Sequence, residues 1–152
     1  MNLGDFKGNY LSEEEKEYRI KILKEELEKG DIYQEMVPYL HRLNAFDILM
    51  TCQCCTGHGE NPREGGRKAH IDLRCMIEID QVMDKVLRPI YNEHGISITL
   101  ALEEERLRYV IWFNNESYRE EMEYLIELFN KLNEEHLEIK EMFKEDREKH
   151  HE

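Results

Sequence analysis

Ile96-Ser97-Ile98-Thr99-Leu100-Ala101-Leu102 and Leu107-Arg108-Tyr109-Val110-Ile111-Trp112-Phe113 are separated only by Glu103-Glu104-Glu105-Arg106. In the first run Ile96, Ile98, Leu100 and Leu102 take every second position; in the second run Leu107, Tyr109, Ile111 and Phe113 do the same. A period of two is the signature of a strand with one buried face. So short a polar connection permits only antiparallel neighbours. The stretch therefore reads as a hairpin, strands three and four of a sheet. Trp112 falls on the face opposite Tyr109, which is either a second buried face or an exposed patch, and a partner or dimer contact is the reading preferred.

Working upstream, Ile79, Val82, Met83, Val86 and Ile90 recur at helical spacing, which predicts a third helix over about 79–91, with Pro89 a candidate kink and Gly95 ending the connection to the next strand. Lys68 to Met76 alternates again. Ile71, Leu73 and Cys75 point one way and His70, Asp72 and Arg74 the other, giving strand two with Cys75 as a core residue. Phe46 to Cys52 reads as strand one, and 53–67 as a glycine-rich loop. Farther upstream, Ser12 with Glu15 forms a capping box for a helix over 13–29, with Ile20, Leu23 and Leu27 on one face and Gly30 as its stop. A second helix carries Met36, Val37, Leu40 and Leu43, either kinked at Pro38 or holding it in the first turn, and stops at Asn44. Residues 1–11 read as a tether.

Downstream, Ser117 with Glu120 caps a long last helix. Tyr118, Met122, Leu125, Phe129, Leu132, His136, Ile139 and Phe143 alternate steps of four and three, a heptad-like seam. A helix of roughly 30 residues is about 45 Å long, whereas four strands are only about 20 Å across. Its second half must overhang the sheet and pack on the N-terminal helices, on a second copy, or fray. Residues 144–152 are almost wholly charged and are expected to fray. The order α-α-β-β-α-β-β-α makes residues 1–152 a single α+β domain, a small four-stranded sheet with helices packed on one side and a long C-terminal helix.

The 152 residues suffice for one domain with a core. A net charge of −13 makes nucleic acid an unlikely general partner, since such binding needs a basic surface, although a local basic patch is compatible with it. No window approaches a membrane span, and the first residues lack the basic and apolar regions of a secretory signal. The expected location is cytoplasmic, where thiols stay reduced and clustered cysteines point to metal or catalysis.

Three of the four cysteines fall in Thr51-Cys52-Gln53-Cys54-Cys55-Thr56-Gly57-His58-Gly59. Cys52 and Cys55 have the C-x-x-C spacing that lets two thiolates on a tight turn bind one ion. The expected zinc ligands are Cys52, Cys55, His58 and His70, with Cys54 as the substitute. Alternatively, Cys55 beside His58 is an activated nucleophile, with Asp72 near His70 as the one orienting group in view, or these cysteines are simply small buried residues. Arg67 and Lys68, with Arg63, Gly65 and Gly66, form a basic flexible segment able to draw an anionic ligand to the site.

Cys52 to Gly59 also fits C-x-x-C-x-G-x-G and is similar to one cysteine-rich repeat of the DnaJ chaperone family, which uses several such repeats to build zinc sites. Over residues 38–75 a second likeness holds. Pro38-Tyr39-Leu40-His41-Arg42-Leu43-Asn44, a strand, and Cys54-Cys55-Thr56-Gly57-His58 resemble the P-L-V-x-x-L-N and S-C-S-G-R motifs of the wybutosine-tRNA methyltransferase family. Cys55 and Gly57 match; Cys54 stands where serine is usual and His58 where arginine is usual, as in uncharacterised S-C-x-G-H proteins. That resemblance implies a small α/β domain, S-adenosylmethionine as cofactor and a modified tRNA guanosine as substrate.

Three readings follow. The first is a cytosolic protein with a Cys/His zinc site on the loop between strands one and two, structural or with a position open to water. The second is an S-adenosylmethionine-dependent methyltransferase-like protein acting on RNA or a nucleotide. The third is a scaffold that self-associates through the long C-terminal helix. The sequence leaves open whether the protein is an enzyme.

Overall fold

The structure, a computed structural model, describes residues 13–30, 35–56, 69–103, 106–114 and 116–150, with the backbone alone at 53–56, 103, 106 and 146–150. Its elements are α1 (Glu13–Lys29), α2 (Val37–Asn44), β1 (Leu49–Thr56), β2 (Ala69–Cys75), α3 (79–94), β3 (Ser97–Glu103), β4 (Arg106–Trp112) and α4 (Tyr118–His150). The strands form one antiparallel sheet in the order β1-β2-β4-β3. This is the expected α+β architecture. The hairpin pairs Ile98 with Ile111 and Leu100 with Tyr109, so the two apolar sets share a face.

That face holds the core. Ile71, Leu73, Cys75, Tyr109 and Ile111 from the sheet meet Leu40 and Leu43 of α2, Val86 and Ile90 of α3, and Met122, Leu125 and Phe129 of α4. Cys75 is a core cysteine, as its place in the alternation indicates. Burial raises its thiol pKa above the ordinary range, and proximity to Cys52 adds to the rise.

The structure decides between the two readings of Pro38, and two other local features depart from the expected reading. In α2, Pro38 lies in the first turn, where its missing N–H costs no intrahelical bond, so the helix starts at Val37 without a kink. In α3, α-helical Ile79–Val82 and Arg88–His94 flank a π-helical stretch, Met83–Leu87. There the Arg88 N–H donates to the Met83 carbonyl, five residues back. The wide turn lies just ahead of Pro89 and lets the helix run on past a residue that cannot donate. Gly95 ends it in the left-handed region, φ 62°, where a side chain would be strained.

At the start of α4 the reaching carboxylate is Glu121, not Glu120. Ser117 Oγ donates to Glu121 Oε2 (2.8 Å), while Asn114 donates to Oε1 through its backbone N–H (3.2 Å) and Nδ2 (3.0 Å). The fully buried Glu121 thus ties the exit of β4 to the first turn of α4. The seam of α4 is buried from Tyr118 through Leu132. Beyond the sheet it overhangs, as the length argument requires, and there Ile139, Met142 and Phe143 are exposed rather than buried against the N-terminal helices. The backbone remains helical to His150, through most of the segment expected to fray. The Ser12 half of the first capping box, and residues 1–11, lie outside the described residues. Gly30 does end α1, at φ 74°.

Candidate functional site

The decisive difference from the sequence reading is in β1. The strand does not end at Cys52; it continues to Thr56, so Cys52, Cys54 and Cys55 lie in a strand and not in a loop. Cysteine and threonine suit a pleated surface, and β2 extends far enough to pair with them. Thr51 pairs with Leu73 but Cys54 with Ile71, so a bulge places Cys52 and Gln53 together opposite Asp72. Beyond it Cys55 stands at the register position of His70.

Two side chains from outside the sheet hold the backbone where the bulge begins. Asn44, at the end of α2, donates through Nδ2 to the Thr51 hydroxyl (2.8 Å) and to the Leu40 carbonyl (2.8 Å), and accepts the Thr51 N–H (3.1 Å). The expected helix stop is thus also a buried clasp between helix and strand. Arg19 of α1 donates through Nε to the Thr51 carbonyl and through Nη2 to the Cys52 carbonyl. It satisfies backbone groups on the outer edge of β1 that no further strand pairs among the described residues.

Cys52 lies near a polar cluster on the sheet face away from the core. His70, Asp72 and Arg74 alternate along β2. Their neighbours on β4 are Arg108, Val110 and Trp112, with His70 opposite Trp112 and Asp72 opposite Val110. Arg108 Nε stands 3.5 Å from Asp72 Oδ2, and His70 Nε2 stands 3.9 Å from Asp72 Oδ1. The His70 and Trp112 rings lie 4.9 Å apart at 39°, and Trp112 Nε1 donates to Thr99 Oγ1 (3.1 Å). Trp112 therefore packs within its own chain on the face where a partner contact was expected. His70 and Asp72 are buried, as are Met50 and Val110 on the same face.

The electrostatics follow from this placement. Burial pushes the Cys52 thiol pKa up; Arg74, Arg19 and Arg108 pull it down, and Asp72 opposes them. Arg19 stands 3.6 Å from Glu26 and Arg108 3.5 Å from Asp72, so three guanidiniums face two carboxylates and Arg74 carries the excess positive charge, in a chain of net charge −13. The Nε of Arg74 is buried and has no hydrogen-bond partner among the described residues. Buried donors are rarely left unpaired in a native fold, so this one has capacity to meet a ligand acceptor.

Of the expected site residues, the structure brings His70 and Cys52 to this cluster and gives Cys54 and Cys55 a register position. His58, Arg67 and Lys68 lie outside the described residues. Arg19, Arg74 and Arg108 were not anticipated. The available signal was the polar half of the strand alternation, in which charged residues face away from the core without being exposed. Among the described residues, no group of three or more His, Cys, Asp and Glu side chains is placed to hold a metal ion. No described helix is long and apolar enough to cross a membrane.

No family model matches the chain, and no curated protein matches it. Among solved structures it is similar to the PH1069 protein from Pyrococcus horikoshii, with 12% sequence identity over 81% of this chain and 94% of that one and a TM-score of 0.48. A likeness that distant carries no argument about function.

Proposed function

We propose that the free face of the sheet binds a small anionic ligand with an aromatic ring, and that the protein is an S-adenosylmethionine-dependent, methyltransferase-like enzyme acting on a nucleotide or a nucleotide unit of RNA. The observation that carries this reading is the pairing of three arginines around Cys52 with the His70–Trp112 ring pair. Guanidiniums match carboxylate and phosphate, and ring faces accept bases. S-adenosylmethionine offers a carboxylate to a guanidinium and an adenine to the rings, and when bound it supplies the methyl group; its sulfonium and ammonium make it a cation overall, so the anionic ligand of this face is the nucleotide substrate. The donor set fits such a group: Arg74 retains a buried, unpartnered Nε, and Trp112 offers a half-buried ring. The resemblance of residues 38–59 to the wybutosine-tRNA methyltransferase motifs supports the same assignment, because Cys55 of that motif takes the register position of His70.

Trp112 is the chain's single tryptophan, so its fluorescence reports on this face directly. Titration with S-adenosylmethionine, and separately with nucleoside monophosphates, is expected to give saturable quenching that weakens at least tenfold in Arg74→Gln. Flat titrations, confirmed by calorimetry, would remove this reading.

Zinc on the same cysteines is the second reading, and the bulge favours it. The bulge offsets the strand alternation, so Cys52 and Cys55 take register positions opposite the neighbouring same-face residues Asp72 and His70. Against it, a dication near Cys52 would meet three guanidiniums. Elemental analysis of the purified protein and of a Cys52→Ser/Cys55→Ser variant separates the two. Near-stoichiometric zinc that the variant loses would establish a metal site.

A further inference from the structure

The two outer edges of the sheet are finished differently. On β1, Arg19 caps the carbonyls of Thr51 and Cys52. On β3, among the described residues, no other strand pairs and no helix side chain donates to the backbone. An uncovered edge strand offers a row of amides and carbonyls to another chain, and natural sheets usually blunt it with proline, charge or a bulge. Within Ser97–Leu102 there is no proline and no charge, and the β3–β4 register runs without a shift from Ser97 to Glu103. The edge is apolar as well. Leu100 is 41% exposed and Leu102 58%, and Tyr91 of α3 is 59% exposed. Beside them Met83, Leu87, Arg88, Tyr91 and Ile98 line a hollow of about 260 Å3.

We propose that a second copy of this chain covers the edge, with the two β3 strands antiparallel across a two-fold axis at Leu100, so that the sheet continues through eight strands. The self-complementarity of β3 supports a second copy over an unlike partner. Centred on Leu100, that register sets Leu100 against the partner's Leu100, Ile98 against the partner's Leu102, Thr99 against the partner's Ala101 and Ser97 against the partner's Glu103. Apolar residues meet apolar residues on the core face, and no like charges fall opposite each other. Such an interface is isologous, and symmetry repeats every favourable contact. A shift of one residue would turn the leucines onto the wrong face, and among the even shifts the pairing centred on Leu100 keeps the whole of Ser97–Glu103 paired.

Light scattering on the full chain is expected to give twice the 18.4 kDa protomer mass. Leu100→Lys, which sets two ammonium groups against each other, is expected to give the protomer mass with an unchanged circular dichroism spectrum. Leu100→Cys tests the register without relying on a loss. Residues facing each other across an antiparallel pair lie within disulfide reach. Mild oxidation is expected to crosslink it into a covalent dimer, whereas oxidised wild type and Leu102→Cys stay uncrosslinked. A monomeric wild type overturns the proposal. So does a dimer that survives Leu100→Lys, and so does one lost only in Phe143→Glu, which would place the contact on the overhanging end of α4.

Discussion

The two faces of the sheet are built on one alternation but differ in chemistry. On one, Ile71, Leu73, Tyr109 and Ile111 close against three helices. On the other, His70, Asp72, Arg74, Arg108 and Trp112 form a polar layer that is nevertheless largely out of water. Apolar burial of the first kind stabilises by about 25 cal/mol per Å2. Burial of the second kind costs free energy unless every group finds a partner. A fold that needed only stability would put apolar residues at Arg74 and Asp72. The first face holds the molecule together, and the second is the one on which the proposed function rests.

The strongest test of that division is a truncation on each face. Phe129→Ala removes a ring from the packed side and is expected to cost about 3–5 kcal/mol in denaturant unfolding; a loss below about 1 kcal/mol would mean the core is not where the structure puts it. Asn44→Ala tests the link between helix and sheet, because it leaves the buried Thr51 amide and hydroxyl without their partner. Its expected cost is about 1–3 kcal/mol, and a neutral result would dissolve the clasp between α2 and β1.

The pH dependence ranks next. The Cys75 thiol pKa is raised above 9.0 by burial, so above that pH the unfolded chain has lost a proton that the folded one keeps. Stability from this group is complete below pH 9.0 and falls as pH rises from there towards the raised value, by at most about 1.4 kcal/mol per pH unit. Cys75→Val should flatten that slope in urea titrations at pH 8 and pH 10, and an unchanged slope would assign the loss to other groups. Arg74→Leu should have the smallest effect on folding, within about 1 kcal/mol in either direction, because its Nε makes no hydrogen bond among the described residues. The same variant should abolish the quenching of Trp112 by anionic ligands. A large stability loss would recast the polar face as structural.

Much of the fold is legible in the order of the residues. Alternation in β2, β3 and β4 assigns Ile71, Leu73, Tyr109 and Ile111 to the core face, and helix length against sheet width foretells the exposed end of α4. What escaped was tertiary. The β1 residues after Cys52 look like a turn in isolation and become strand because β2 is there to pair with them. Glu121 displaces Glu120 because the carboxylate has to reach Asn114 as well as Ser117. The arginines of the polar cluster come from α1, β2 and β4. Arg19 lies 55 residues before Arg74 in the chain, and no local pattern links them.

The π-helical turn in α3 also acts as a rotation. An α-helix advances about 100° per residue, so the extra residue accommodated between Met83 and Leu87 resets the azimuth of everything after it. Downstream, Ile90 is fully buried and Tyr91 is 59% exposed beside the free edge of β3. Deleting one residue from that turn would keep the helix and its ends but turn its last two turns like a key. Ile90 would leave the core, and the aromatic at 91 would leave the edge it flanks.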